Sequence, residues 1–307
     1  MTVVAAIDIG TNSTRLLVAE TLSEGAEAKL VTRDRRTQVT RLGAGVDRAR
    51  RLDPAAIERT LDALRGYRAV LDEHGATRVR ATATSAARDS ANRDDFFGPA
   101  AEVLGVRPEL LSGEEEARLT FAGATAGRSE PGPFLVVDIG GGSTEFVFGD
   151  DHARELCSID VGCVRLTEQF LHGDPPTPEE LSQAVSVVRD HLADVDRLVP
   201  GAAGAAVLIG TAGTAWTFGA VELGVDAARS DLIDGFRLGR AAAEEIFRTL
   251  VTEPFEQRQH NPGLEPGRVD VIVGGAVVLV GVMRHWGFDE MIVSESDILD
   301  GLARSLV

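Results

Sequence analysis

The sequence predicts an α/β protein of two lobes, each a β-sheet carrying helices, with a substrate cleft between them. Length is the first observation: 307 residues exceed one small core, and a prior of roughly 150 residues per domain suggests two. The second is a repeat. Asp8-Ile9-Gly10 and Asp138-Ile139-Gly140 each end a short apolar run and lead into hydroxyl-bearing residues. So long a period indicates two related lobes rather than a solenoid. The third is the alternation of short apolar runs with longer segments of helical period.

The elements follow in order. Residues 1–10 read as a buried strand and turn, with 15–20 and 29–39 as two further strands. Asp53 suits an N-cap and Pro54 a first helical position; Ile57, Leu61, Leu64, Tyr67, Val70 and Leu71 then keep helical spacing to Gly75. Strands are expected at 78–84 and 108–111, with a helix at 95–104 between them and another from about Glu114. The stretch 127–133 is the loosest and reads as a hinge. Residues 134–138 and 144–148 repeat the opening hairpin. A helix at 178–198 and a strand at 206–209 follow, the strand ending in a third glycine-rich turn, Gly210-Thr211-Ala212-Gly213-Thr214. Helices at 239–251 and 269–286, a strand at 290–294 and a closing helix at 297–306 complete the chain. The lobes are therefore expected at 1–122, rejoined by the closing helix at about 296–307, and at 123–295.

Composition narrows the chemistry. The net charge of −17 argues against general nucleic-acid binding, since a polyanion backbone would be repelled. Seven arginines lie between Arg33 and Arg51, at 33, 35, 36, 41, 48, 50 and 51, against Asp34 and Asp47. Such a run is either a local phosphate-attracting surface or a solvated loop, and charge alone does not decide. Lys29 is the one lysine, which excludes a Gly-Lys-Ser/Thr phosphate loop. Cys157 and Cys163 are too few for a disulfide framework or zinc site and read as reduced cytosolic thiols. No basic leader is visible at the N-terminus, and the apolar run 271–283 is shorter than the about 20 residues that span a bilayer. A cytoplasmic protein with no membrane partner is expected.

Two kinds of motif carry chemistry. A strand ending in a tight glycine turn exposes consecutive N–H groups that cradle phosphate oxygens, and glycine admits the anion without a Cβ clash. Gly10, Thr11, Asn12 and Ser13 form one such turn; Gly140, Gly141, Gly142 and Ser143 form the other, with Thr144 beside them. Asp8 and Asp138 precede the turns, where a carboxylate makes sense if it holds a hydrated cation or orients water. The second motif is Ser112-Gly113-Glu114-Glu115-Glu116-Ala117-Arg118. Ser112 and Glu115 have capping-box spacing, and Glu114 and Arg118 suit an i,i+4 ion pair. Glu116 has no such local use, and a carboxylate there can activate water; taken alone, all three acids would equally suit a helix N-terminus.

These segments, in this order and with Gly210–Thr214, resemble the exopolyphosphatase and guanosine pentaphosphate phosphohydrolase family over essentially the whole chain. The glycine hairpins are shared with the wider superfamily of actin, sugar kinases and heat-shock chaperones; the Ser-Gly-x-Glu-Glu-Ala-Arg segment narrows the resemblance to the family. Residues 41–46, 84–92, 162–166 and 267–275 resemble further family segments. The resemblance implies two actin-like, ribonuclease H-like lobes and hydrolysis of a terminal phosphoric anhydride. It implies Glu116 as the catalytic glutamate, with Glu115 as the alternative, Asp138 as the carboxylate linked to metal and water, and Arg88 as a charge-neutralising arginine. The phosphate-binding residues it implies are Gly10, Thr11, Asn12, Ser13, Gly140, Gly141, Gly142, Ser143, Gly210, Thr211 and Gly213. Asp8 and Asp138 would hold the divalent cation, Mg²⁺.

The expected substrate is inorganic polyphosphate, with guanosine pentaphosphate as the alternative, acted on by a homodimer. Longer family members carry added helical domains where this chain ends at Val307, which implies a preference for short polymers. Two readings of other classes remain at this stage: a superfamily kinase or ATPase, and a non-catalytic sensor of phosphorylated nucleotides.

Overall fold

The computed structural model describes residues 2–21 and 29–307; Met1, counted above in the first strand, lies outside them. Two compact units emerge, Met1–Gly123 with Ile298–Val307, and Ala124–Asp297. The stretch 127–133, expected as a hinge, falls inside the second unit.

In the first unit, β1 (Thr2–Ile9), β2 (Ser13–Thr21) and β3 (Leu30–Val39) form an antiparallel meander. A short α1 (Val46–Ala49) leads to α2 (Pro54–His74). Asp53 caps α2 by accepting from the N–H groups of Ala55 and Ala56, Pro54 starts it and Gly75 ends it in the left-handed conformation. Then come β4 (Arg78–Ala83), α3 (Ser85–Arg88), α4 (Asp94–Leu104), β5 (Glu109–Leu110) and α5 (Gly113–Ala124). The sheet order is β3-β2-β1-β4-β5, with β1, β4 and β5 parallel. One sheet face packs on α2 and α4 through Ile7, Leu16, Leu61, Leu64, Tyr67 and Phe96.

The second unit repeats the plan. Strands β6 (Phe134–Ile139), β7 (Thr144–Gly149) and β8 (Ala153–Ile159) form its antiparallel meander. Helices α6 (Cys163–Phe170) and α7 (Pro178–Leu198) follow, α7 opened by a reciprocal Thr177/Glu180 capping box. The rest is β9 (Val207–Thr211), α8 (Ala212–Leu223), α9 (Ser230–Ile233), β10 (Arg237–Gly239), α10 (Arg240–Thr252), α11 (Phe255–Arg258), α12 (Ile272–His285) and β11 (Glu290–Val293). The sheet order is β10-β11-β9-β6-β7-β8, with β6, β9 and β11 parallel. Helix α12 carries eleven buried residues, so its apolar run serves the core of this unit. No helix among the described residues is long and apolar enough to cross a membrane.

The closing helix, α13 (Ile298–Arg304), belongs to the first unit. Ile298, Leu299, Leu302 and Ala303 cover Val4, Ala6, Leu17 and Ala19 on the sheet face opposite α2. The α/β class and the pair of sheets agree with the sequence expectation, and strand order 3-2-1-4-5 is that of a ribonuclease H-like unit.

Candidate active site

Open α/β sheets bind ligands beyond the carboxyl ends of their parallel strands. In the first unit three segments gather at that edge. β1 runs into the turn 10–13, in which Gly10 N–H donates to the Ser13 carbonyl at 3.0 Å. β4 runs into α3, tied to β1 where Thr84 N–H donates to the Ile9 carbonyl at 3.3 Å. β5 runs into α5, tied to β4 where Leu111 N–H donates to the Ala83 carbonyl at 3.1 Å.

This layout brings Arg88 and Glu116 together. Arg88 Nη1 donates to Glu116 Oε2 at 2.7 Å and to the Leu111 carbonyl at 3.1 Å. The side chains are 22% and 13% exposed, so the pair is only lightly screened. The other two glutamates have local partners. Glu115 completes the capping box, accepting from the Ser112 N–H and hydroxyl, both at 3.0 Å, and these bonds hold its carboxyl below the usual range. Glu114 forms an exposed ion pair with Arg118 at 3.8 Å. Of the three, only Glu116 is turned towards a cation on another element of this edge.

The turn 10–13 is shaped for a ligand. Thr11, Asn12 and Ser13 are buried, and Thr11 Oγ1 and both amide atoms of Asn12 have no hydrogen-bond partner among the described residues. Buried polar atoms are normally satisfied, so this concentration at one turn points to an external partner. The second turn is matched: Gly140 N–H donates to the Ser143 carbonyl at 3.0 Å, as at Gly10. A Cβ at Gly10 or at Gly140 would stand 3.0 Å from that same carbonyl oxygen. At Gly162 a Cβ would lie 2.4 Å from the Gly141 carbonyl oxygen and 2.6 Å from Gly142 N, so glycine there lets α6 close onto the turn.

The expected third turn is corrected. Gly210 and Thr211 are the last residues of β9, and Gly213 lies inside α8; a strand passes directly into a helix. Gly210 is a packing glycine, because a Cβ would meet Met291 Sδ at 2.3 Å and Ala215 Cβ at 3.0 Å. Thr211 and Gly213 retain features of an anion site. Thr211 Oγ1 is buried without a partner among the described residues, and the Arg268 guanidinium lies over Gly213, where a Cβ would stand 1.9 Å from it.

The two strand-end aspartates differ. Across the first sheet the register reads Thr37–Arg15–Asp8–Thr82; across the second it reads Ser158–Glu145–Asp138–Thr211. Both rows carry hydroxyl residues at their ends and an aspartate within, and differ in charge at one position, where arginine is replaced by glutamate. Arg15 donates to Asp8 Oδ2 from Nη2 at 2.7 Å and from Nε at 3.2 Å. Asp138 instead stands opposite Glu145, whose carboxylate accepts from Ser158 Oγ at 2.7 Å. The register thus sets two carboxylates side by side on one face of the second sheet. Asp8, expected to hold a cation, has one carboxylate oxygen on the Arg15 guanidinium. Among the described residues no three Asp, Glu, His or Cys side chains form a metal cluster. Two buried carboxylates nevertheless suit Mg²⁺, which keeps several waters and takes few protein ligands.

Several residues escaped the sequence reading. Glu145 would have emerged from comparing 8–15 with 138–145 at equal offset. Arg165, whose Nε donates to the Gly142 carbonyl at 2.8 Å, and Arg268 had no signal beyond lying in family-like segments. The arginine run also resolves in part. Arg33 pairs with Glu20, Arg35 with Asp300 at 2.6 Å and Arg36 with Asp34 at 2.7 Å, so these three are committed to acids.

Two duplicated α/β units with glycine turns at their strand ends, one bearing a glutamate–arginine pair, define a protein built to handle phosphoryl groups. The chain belongs to the Ppx/GppA phosphatase family, whose match covers residues 7–307. It is 45% identical over 316 residues to exopolyphosphatase 2 of Mycobacterium tuberculosis, covering 100% of this chain and 99% of the relative. Among solved structures, an exopolyphosphatase-like protein superposes with a TM-score of 0.93 at 36% identity, covering 99% and 97% of the two chains. The Ppx/GppA family member of Aquifex aeolicus gives 0.82 at 31% identity, with the same coverage.

Proposed function

We propose that this protein is an exopolyphosphatase that hydrolyses the terminal phosphoric anhydride of inorganic polyphosphate. The observation that carries the reading is the Arg88–Glu116 pair at the edge where the turn 10–13 opens. The full-length likeness to a mycobacterial exopolyphosphatase supports polyphosphate as the substrate class.

Glu116 is the general base. Arg88 grips one carboxylate oxygen, which fixes the direction in which the group addresses water. The water oxygen bonds to the terminal phosphorus as its proton passes to Glu116. The bridging P–O bond breaks, and the shortened chain leaves with the electron pair. The turn 10–13, through its N–H groups, the Thr11 hydroxyl and the Asn12 amide, binds phosphate oxygens, and the turn 140–143 does the same in the second unit. Thr211 and Gly213 add a phosphate contact at the head of α8. Asp138 and Glu145 would hold Mg²⁺, which when bound supplies positive charge against the phosphate oxygens.

The test is phosphate release with Mg²⁺ from short polyphosphate, long polyphosphate, guanosine pentaphosphate and ATP, by wild type and Glu116→Gln. Release from polyphosphate that collapses in the variant is the expected result. Release confined to guanosine pentaphosphate would make this a nucleotide phosphatase, and binding without release would make it a sensor.

A further inference from the structure

Residues 40–52 run as a strap from the turn 10–13 to the residues just past α3, the four-residue helix that ends in Arg88. At the near end the strap is laced to the turn. The N–H groups of Thr40 and Arg41 donate to the Asn12 carbonyl at 3.0 and 2.8 Å, and Gly43 N–H donates to the Thr11 carbonyl at 2.9 Å. The hydroxyls of Thr40 and Thr14 share a buried bond of 2.9 Å. Gly43 is wedged between turn and helix: a Cβ there would stand 2.3 Å from Thr11 Cγ2 and 3.0 Å from Ala86 Cβ.

The far end is fastened by Asn92. Leu52 N–H donates to Asn92 Oδ1 at 2.7 Å, and Asn92 Nδ2 donates back to the Leu52 carbonyl at 3.1 Å. The side-chain amide thus pairs with residue 52 as one peptide pairs with another across a sheet. Beside it, Ala91 N–H donates to the Arg50 carbonyl at 2.9 Å. The direction of the amide is informative. Asn92 lies just ahead of α4, where an asparagine oxygen commonly accepts from the first N–H groups of the helix. Here the oxygen turns to a residue 40 positions away, and Nδ2 alone keeps a local contact, with Asp95 Oδ2 at 3.2 Å. Leu52 is buried in the same core as Leu42 and Val46, so the amide closes on a fixed point.

Helix α3 needs such a tie, because a single helical turn does not hold its own shape. Thr84 moors its start to β1, and Ser90 Oγ folds back on the Ala86 carbonyl at 2.6 Å. We infer that Asn92 is a positioning residue for hydrolysis: its amide latches the strap 40–52 to the end of α3 and so holds Arg88, and through it Glu116, in place against the turn 10–13. The inference rests on the reading of Arg88 and Glu116 as the chemical pair.

The experiment is a double-mutant cycle. Phosphate release from short-chain polyphosphate gives KM and kcat for wild type, Asn92→Ala, Arg88→Ala and the double variant, at a temperature where circular dichroism shows each to be folded. The expected result is a kcat about tenfold lower for Asn92→Ala with KM within about twofold, and a loss below about twofold when the same substitution is made in Arg88→Ala. An amide that acts through Arg88 has nothing left to position once Arg88 is gone, whereas a merely structural amide lowers kcat by one factor in both backgrounds. Asn92→Asp keeps the acceptor for Leu52 N–H and loses the donor, and carries the same cycle should Asn92→Ala not fold. Equal factors in the two backgrounds overturn the inference, as does a wild-type kcat in Asn92→Ala. If Arg88→Ala itself leaves kcat unchanged, the reading of the Arg88–Glu116 pair falls, and this inference with it.

Discussion

Arg88 reaches across 28 residues of sequence to grip Glu116, Nη1 to Oε2 at 2.7 Å, and anchors the same nitrogen on the Leu111 carbonyl. The pair distinguishes Glu116 from its two neighbours, which are occupied by helix capping and by a surface ion pair.

Glu116→Gln keeps an oxygen for Arg88 to hold but removes the base. We expect kcat to fall by about 10²–10⁴ with Tm within a degree or two of wild type, as read by steady-state phosphate release and thermal melts. Glu115→Gln should leave kcat within about twofold, because Glu115 acts only as a cap of modest worth. Comparable kcat losses in the two variants would exchange their roles.

Asn12→Ala deletes a buried amide that no described residue satisfies. Truncation should leave the ligand-free fold as stable as wild type or slightly more so, since an unmet buried polar group costs about 1–3 kcal/mol. KM should rise at least about tenfold, the equivalent of 1.4 kcal/mol of lost phosphate binding. A large loss of Tm would show instead that the amide supports the fold.

The opposed carboxylates Asp138 and Glu145 predict a metal-dependent melting temperature. Millimolar Mg²⁺ should raise the Tm of wild type by binding the folded state. Asp138→Asn and Glu145→Gln should each lose most of that increase. Asp8→Asn should keep the Mg²⁺ response, since Arg15 serves that carboxylate. An Asp8 variant that loses the response would restore it as a ligand.

Stability should decline at alkaline pH. Burial pushes the Cys157 thiol up to about 12 from its ordinary 9.0, with the Glu145 charge adding to the shift. Burial likewise raises Cys163 and Tyr67, whose hydroxyl donates to the Thr14 carbonyl at 2.7 Å. Between about pH 9 and 12 the unfolded chain releases protons that the folded chain retains, so rising pH favours unfolding. Melts from pH 7 to 11 should show a falling Tm, less steep in Cys157→Ala. An unchanged slope would remove Cys157 from the account.

Gly162→Ala tests the packing of the second turn. A Cβ there meets backbone atoms of Gly141 and Gly142 at 2.4–2.6 Å, and backbone cannot step aside as a side-chain tip can. The expected cost is about 1–3 kcal/mol, with activity falling further than stability explains. Activity that tracks the folded fraction alone would limit the glycine to a packing role.

Much of this was legible because local signals agreed with the fold. The matched Asp-Ile-Gly turns, the Asp53–Pro54 helix start and the apolar length of α12 each have a short-range cause. What stayed hidden was long-range. Helix α8 was concealed by Gly213, Gly219 and two threonines, weak helix formers that tertiary packing overrides; Gly219 lies against Ile233 and Val293. The Arg88–Glu116 pair needed the parallel β4–β5 register, and the run of arginines looked uniform until β3 set Arg35 against Asp300. The Asp8/Asp138 contrast needed only the residue seven places on, but became meaningful once the strands were in register.

The last helix gives the chain an order of assembly. Val4, Ala6, Leu17 and Ala19 precede their cover, Ile298, Leu299, Leu302 and Ala303, by the whole of the second unit. Gly301 seats against Leu119, where a Cβ would stand 2.0 Å from the carbonyl oxygen, and Arg78 holds the Leu306 carbonyl at 2.7 Å. The second unit, unbroken in sequence, can condense while the first still shows a bare apolar sheet face. The first unit is thus completed by a helix that follows the second in sequence: without α13 that sheet face is uncovered, and α5, which bears Glu116, loses the seat of Gly301 against Leu119.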